Sequence, residues 1–244
     1  MSRKNMPIRL SHSRATLTII AGFIAFGALT PASAHAHVSI ASGLAFANTT
    51  QEVVFGVGHG CAGADTSSVQ VEIPAGVGSV RPIASGFGQV DVETDASGAV
   101  VAVTWQKDDS SVLDVDAQYY KLTVRLKLPD EPFSTLYFPA HQTCRAKDGT
   151  TTVVDWVGID VADGSDVEPA PALRVVPARF PGWNKFTVPS ALTDLASFFA
   201  DAQIVWRGNA AYSSSPTTAE LIAGTSGVSS LSGLGAGDEI WVKY

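Results

Sequence analysis

Charge, sulfur and long apolar runs are all scarce in this sequence, and each shortage excludes something. Lys, Arg, Asp and Glu make up 16% of the 244 residues and hydrophobic residues 45%, against about 25% charged in an ordinary globular chain, so a disordered or collagen-like chain is excluded. Basic residues are outnumbered, 16 Lys+Arg against 23 Asp+Glu, which argues against nucleic acid as a partner. Past residue 36 nothing approaches the roughly eighteen consecutive apolar residues of a membrane-crossing helix, so no transmembrane anchor is expected after processing. No nucleophile elbow, phosphate-binding loop, zinc cysteine pair or dinucleotide fingerprint occurs, and the chain is not expected to be an enzyme. There are two cysteines, Cys61 and Cys144, too few for a disulfide-dense scaffold.

What is present begins with an amino-terminal leader. Arg3, Lys4, Arg9 and Arg14 precede an apolar run from Leu17 to Leu29, and small residues follow at Ala32, Ala34 and Ala36. This is the pattern of a secretory signal. Such a run spans about 20 Å as a helix, short of the hydrocarbon core. Residues 1–36 are therefore expected to be removed, giving a periplasmic or secreted protein. Their loss takes four basic and no acidic residues, moving the formal charge from −7 to −11, which favours cations as partners. In an oxidising compartment Cys61 and Cys144 are expected to pair. A loop of that length disfavours the unfolded chain by about 4 to 5 kcal/mol.

Short alternating runs broken by Gly, Pro and Asp fill residues 37–161 and predict about seven strands of a β-sandwich. In Lys121 to Leu128, Leu122, Val124, Leu126 and Leu128 take one face while Lys121, Thr123, Arg125 and Lys127 take the other. Gln89 to Thr94 and Ala99 to Trp105 flank Asp95-Ala-Ser-Gly98, a hairpin turn with glycine where positive φ is needed. Residues 162–172, with three acidic residues and two prolines, read as a linker. A small α+β module is expected over 173–244, with a helix from Leu192 to Ala202 and strands around Trp206 and Trp241. At about seventy residues it would be marginal alone, so docking on the sandwich is expected. Trp183, Trp206, Tyr212 and Trp241 are expected to pack its core more than to bind a ligand.

The chemistry-bearing feature is the new amino terminus. Cleavage after Ala36 leaves His37 first, whose α-amine and imidazole Nδ1 can chelate one metal. Cleavage after Ala34 leaves His35-Ala-His37, where the amine, two amides and the His37 imidazole make a square-planar set. Both nitrogen sets suit Cu(II). Two more histidines, His59 in Gly58-His-Gly-Cys61 and His141 in Ala140-His-Gln-Thr-Cys144, lie two and three residues before the cysteines. A Cys61–Cys144 bridge would therefore draw those two loops together.

Several ordered motifs add a resemblance: His37-Val-Ser-Ile40, Gly58-His-Gly-Cys-Ala-Gly-Ala-Asp-Thr66, Val71-Glu-Ile-Pro-Ala-Gly-Val77, Val103-Thr-Trp105, Thr135-Leu-Tyr-Phe-Pro139, Gln142-Thr-Cys144 and Val154-Asp-Trp156. Over roughly residues 36–160 the chain resembles the YcnI family. That resemblance implies an immunoglobulin-like or cupredoxin-like β-sandwich, exported, binding Cu(II) through a single-histidine brace and serving copper trafficking or storage, with another copper-trafficking protein as a partner. His37 matches the brace histidine, and Trp156 the tryptophan beside the metal. The family's carboxylate position falls at or near Lys121, which cannot act as a negatively charged ligand. His59, His141 and Asp116, in that order, are the candidates for a third donor. Two competing classes are a histidine-brace copper monooxygenase and a metal-free envelope protein binding through the second module.

Overall fold

The computed structural model describes residues 37–159 and 167–244. The expected leader and the first part of the expected linker lie outside the described residues. Strand accounts for 47% of the described residues and helix for 8%, a mainly β architecture.

Two sheets form the sandwich. The first has four strands in the order β1 (Val38–Ile40), β3 (Thr50–Val57), β8 (Tyr120–Lys127) and β5 (Gly78–Pro82). The second has six, in the order β12 (Glu168–Pro169), β11 (Thr151–Gly158), β10 (Ala140–Arg145), β4 (Asp65–Glu72), β7 (Val100–Gln106) and β6 (Gln89–Thr94). The alternation expected for β8 is realised: Leu122, Val124 and Leu126 are fully buried, while Lys121 and Arg125 are exposed. Phe55, Val69, Val71, Trp105, Phe138 and Trp156 meet them in one core. Full burial of each such aliphatic side chain stabilises the fold by about 1.5 to 3 kcal/mol. The β6–β7 hairpin closes as expected: Gly98 has φ +82°, and Asp95 Oδ1 accepts the backbone N–H groups of Ser97 and Ala99.

The chain then returns to the sandwich before it leaves. From the last residue of the expected linker, β13 (Ala172–Val176) pairs with β9 (Ser134–Tyr137) and with β2 (Ala45–Phe46) in a small third sheet. The remaining residues build a five-stranded sheet in the order β14 (Trp183–Thr187), β18 (Glu239–Lys243), β15 (Ile204–Arg207), β16 (Ala210–Tyr212) and β17 (Ser229–Ser230). Its core, with Val188, Phe199, Val205, Ile240 and Val242, also takes in Phe133 from the sandwich side and Val176 from β13. Phe133 is buried with φ +65°, a left-handed backbone that a bulky residue rarely adopts. Its ring lies 5.8 Å from Phe199, 5.9 Å from Phe186 and 6.2 Å from Phe198.

Two expectations for the carboxy-terminal residues change. The helix expected over Leu192 to Ala202 is a single turn, α1 (Leu195–Phe198), capped by the Asp194 side chain accepting the Ser197 N–H. Leu192 cannot join it because its backbone exchanges both hydrogen bonds with Leu234. The longer helix is α2 (Pro216–Gly224), which begins at a proline and buries only Ile222. Trp183 and Trp241 are about half exposed: Trp241 alternates with the buried Ile240 and Val242 along β18, Trp183 with the half-buried Asn184 along β14, and the two line an open hollow of about 460 Å³ with Trp206 and Gly208. Among the described residues no helix is long and apolar enough to cross a membrane.

Candidate metal centre

His37 stands one residue ahead of β1, which among the described residues is an edge strand paired with β3. Its side chain is 52% exposed. The ring lies against the indole of Trp156, with centroids 5.1 Å apart and planes tilted by 44°. Trp156 is an inward-facing, buried residue of β11. Its Nε1–H donates to Gln142 Oε1 at 3.3 Å. Gln142 is itself fully buried in β10 and donates from Nε2 to the His59 carbonyl at 3.0 Å and to Thr66 Oγ1 at 2.8 Å. Each amide atom of Gln142 is thus satisfied, and the network fixes the indole that supports His37.

The carboxylate beside this imidazole is one that the sequence did not single out. β12 pairs in parallel with β11 so that Glu168 stands opposite Trp156, and Glu168 Oε2 lies 4.0 Å from His37 Nε2. Glu168 is one of three acidic residues in the stretch read as linker. A two-residue strand carries no alternation, and its signal was limited to an acid followed by Pro169, a residue that favours extended chain before it. Lys121 lies elsewhere: it is opposite Gly56 of β3, which is opposite Ser39 of β1, two strand spacings or roughly 10 Å away across the sheet.

The other candidate ligands are distributed around the sandwich. The Cys61–Cys144 disulfide is formed, with Cα atoms 5.7 Å apart, and it ties the His59 loop to β10. It does not bring the two histidines' rings to one site through β10, because His141 alternates with the buried Ala140 and Gln142 and points to the opposite face from Trp156. There His141 Nδ1 is 2.6 Å from Asp155 Oδ1 and Nε2 is 3.1 Å from Glu72 Oε1. The Asp155 hydrogen bond, opposed by partial burial and aided by Glu72, raises the His141 pKa above the ordinary imidazole value. Asp116 donates its backbone N–H to the Gly63 carbonyl, and its charge acts on the Tyr120 phenol. His59 connects to Trp156 through its carbonyl and Gln142. Among the described residues no group of three His, Cys, Asp or Glu side chains is arranged to hold a metal.

The model of a family described as a domain of unknown function, DUF1775, matches residues 37–175, a span that ends inside β13; that family includes the YcnI-type proteins. An uncharacterized protein from Nocardia farcinica with an immunoglobulin-like fold is 29% identical, over 57% of this chain and 98% of its own, with a TM-score of 0.49. A cohesin module from a family 33 glycoside hydrolase of Clostridium perfringens is 11% identical over 59% of this chain and 96% of its own, with a TM-score of 0.34. No curated protein matches the chain.

Proposed function

The chain belongs to the DUF1775 family, and on that premise we propose that it is an exported Cu(II)-binding protein that carries or stores copper at an amino terminus beginning with His37. The observation that carries this proposal is the seat of His37: an imidazole half open to solvent, backed by the buried Trp156 indole and faced at Nε2 by the Glu168 carboxylate. A carboxylate on that side favours a proton on Nε2, which makes Nδ1 the ring nitrogen that would bind a metal. Removal of residues 1–36 would free the α-amine of the same residue. Amine and Nδ1 together are the borderline nitrogen pair that Cu(II) prefers.

Glu168 supplies the negative charge that Lys121 does not. Its carboxylate offsets part of the charge of a bound cation and orients the ring that binds it. Trp156 closes one side of the ring, so an ion would be approached from the solvent side, as suits a protein that takes up and hands on its cargo. The partner in that exchange would be another copper-trafficking protein. Copper titration followed by electron paramagnetic resonance tests the proposal: the processed protein should take up one Cu(II) per chain with nitrogen hyperfine structure, and His37→Ala should take up none at that site. An unchanged spectrum in His37→Ala contradicts it.

A further inference from the structure

Copper binding makes no use of a buried cluster formed by Lys107, Asp65 and Tyr120. Asp65 opens β4 and Lys107 directly follows β7. These strands are neighbours, and the Lys107 N–H donates to the Ser67 carbonyl. The pairing brings the two side chains together out of water: Asp65 is 0% exposed and the Lys107 side chain 4%. Lys107 Nζ lies 2.6 Å from Asp65 Oδ2. The Tyr120 hydroxyl touches both, donating to Asp65 Oδ1 at 2.6 Å and accepting from Lys107 Nζ at 2.7 Å. The Leu113 N–H donates to Asp65 Oδ2 at 2.8 Å. Aromatic rings cover the amine, Tyr120 at 4.0 Å and Phe87 at 5.1 Å from Nζ to the ring centroids.

Three requirements for making an amide from a lysine and an aspartate meet here. The groups are in contact at 2.6 Å, both side chains are buried away from the bulk water that would hydrolyse the bond, and a third group able to pass a proton touches both. We infer that Lys107 and Asp65 condense into an intramolecular isopeptide bond that locks the start of β4 to the end of β7. The Lys107 ammonium gives a proton to the Asp65 carboxylate. The amine nitrogen then bonds to Cγ, and a Cγ–O bond breaks. The departing hydroxyl takes the proton that nitrogen loses, relayed through the Tyr120 hydroxyl. Ammonium and carboxylate become one amide and one water, with no oxidant or reductant and no change in net charge.

The neighbours fit these roles. Burial first, and then the hydrogen bond to Asp65, push the Tyr120 pKa far above the ordinary phenol value, so its hydroxyl keeps the proton that it relays. The Leu113 N–H points at the oxygen that gains negative charge when the amine adds, as an oxyanion donor does. A crevice of about 260 Å³, lined by Lys107, Tyr120, Phe87, Ser85 and Ser111 among others, gives the released water a way out.

The test is the intact mass of the processed, oxidised, denatured protein, followed by a proteolytic map after cysteine reduction. The linked chain is lighter by one water than the sequence mass with one disulfide, and yields a branched peptide joining the Lys107 and Asp65 segments. Lys107→Arg keeps the charge without a reactive amine and should show the full mass. Asp65→Asn removes the carboxylate that takes the ammonium's proton and should show the full mass, and Tyr120→Phe should lower the linked fraction. A wild-type mass lacking only the two disulfide hydrogens, with no branched peptide, overturns the bond and leaves an ion pair; copper binding is untouched by either result.

Discussion

The imidazole of His37 rests on the indole of Trp156, ring centroids 5.1 Å apart, and opposite that indole on the neighbouring strand stands Glu168. One buried aromatic therefore positions both a histidine at the start of the sandwich and a carboxylate near its end. Gln142 holds the indole nitrogen in turn, so the wall behind His37 is fixed by a satisfied buried network.

Glu168→Gln keeps the side chain's shape and removes its charge. It is expected to weaken Cu(II) binding about 10- to 100-fold, the usual effect of losing a carboxylate that orients a ligating imidazole. His141→Ala, on the opposite face, is expected to leave the affinity unchanged. Calorimetric titration of the two variants checks this; the reverse ranking would place the carboxylate role elsewhere.

His141 makes part of the stability depend on pH. Asp155, and with it Glu72, raises its folded pKa, so the native state keeps its proton to a higher pH than the unfolded chain does. The contribution is fully present below the unfolded value of about 6.5 and is lost as pH rises through the folded value. Urea denaturation of wild type and His141→Asn should therefore differ more at about pH 5.5 than at about pH 8.5. An equal difference at both pH values contradicts this assignment.

Replacing both Cys61 and Cys144 by Ala opens a loop closed over a separation of 83 residues. Unfolding free energy is expected to fall by about 2 to 5 kcal/mol, measured by urea denaturation against the oxidised wild type.

The ring of Phe133 bridges the sandwich and the carboxy-terminal core. Phe133→Ala is expected to cost about 3 to 5 kcal/mol, and the loss should appear in proteolysis of residues beyond Val176 before it appears in the sandwich.

The sandwich was legible in the sequence wherever one face is apolar and the other polar, as in β8, and at Asp95 to Gly98, where a turn dictates its own residues. β10 was not, because its buried positions include Gln142, a polar side chain whose partners come from Trp156, His59 and Thr66, all distant in the chain. α2 was missed for the opposite reason: it is a short helix with one buried side chain, Ile222, and an exposed Leu221, and so has no apolar stripe. The pairing of Cys61 with Cys144 followed from the count and the expected compartment. Trp156 was found by resemblance, whereas Glu168 depended on a two-residue parallel strand that only tertiary pairing defines.

The most direct test of the copper site is a titration of two proteins differing by one residue, one beginning at His37 and one retaining Ala36. Calorimetry with Cu(II) should give one equivalent bound tightly by the first and a marked loss of affinity in the second, because the added residue turns the chelating amine into an amide. Equal affinity in the two proteins, or no binding by the first, would contradict the account.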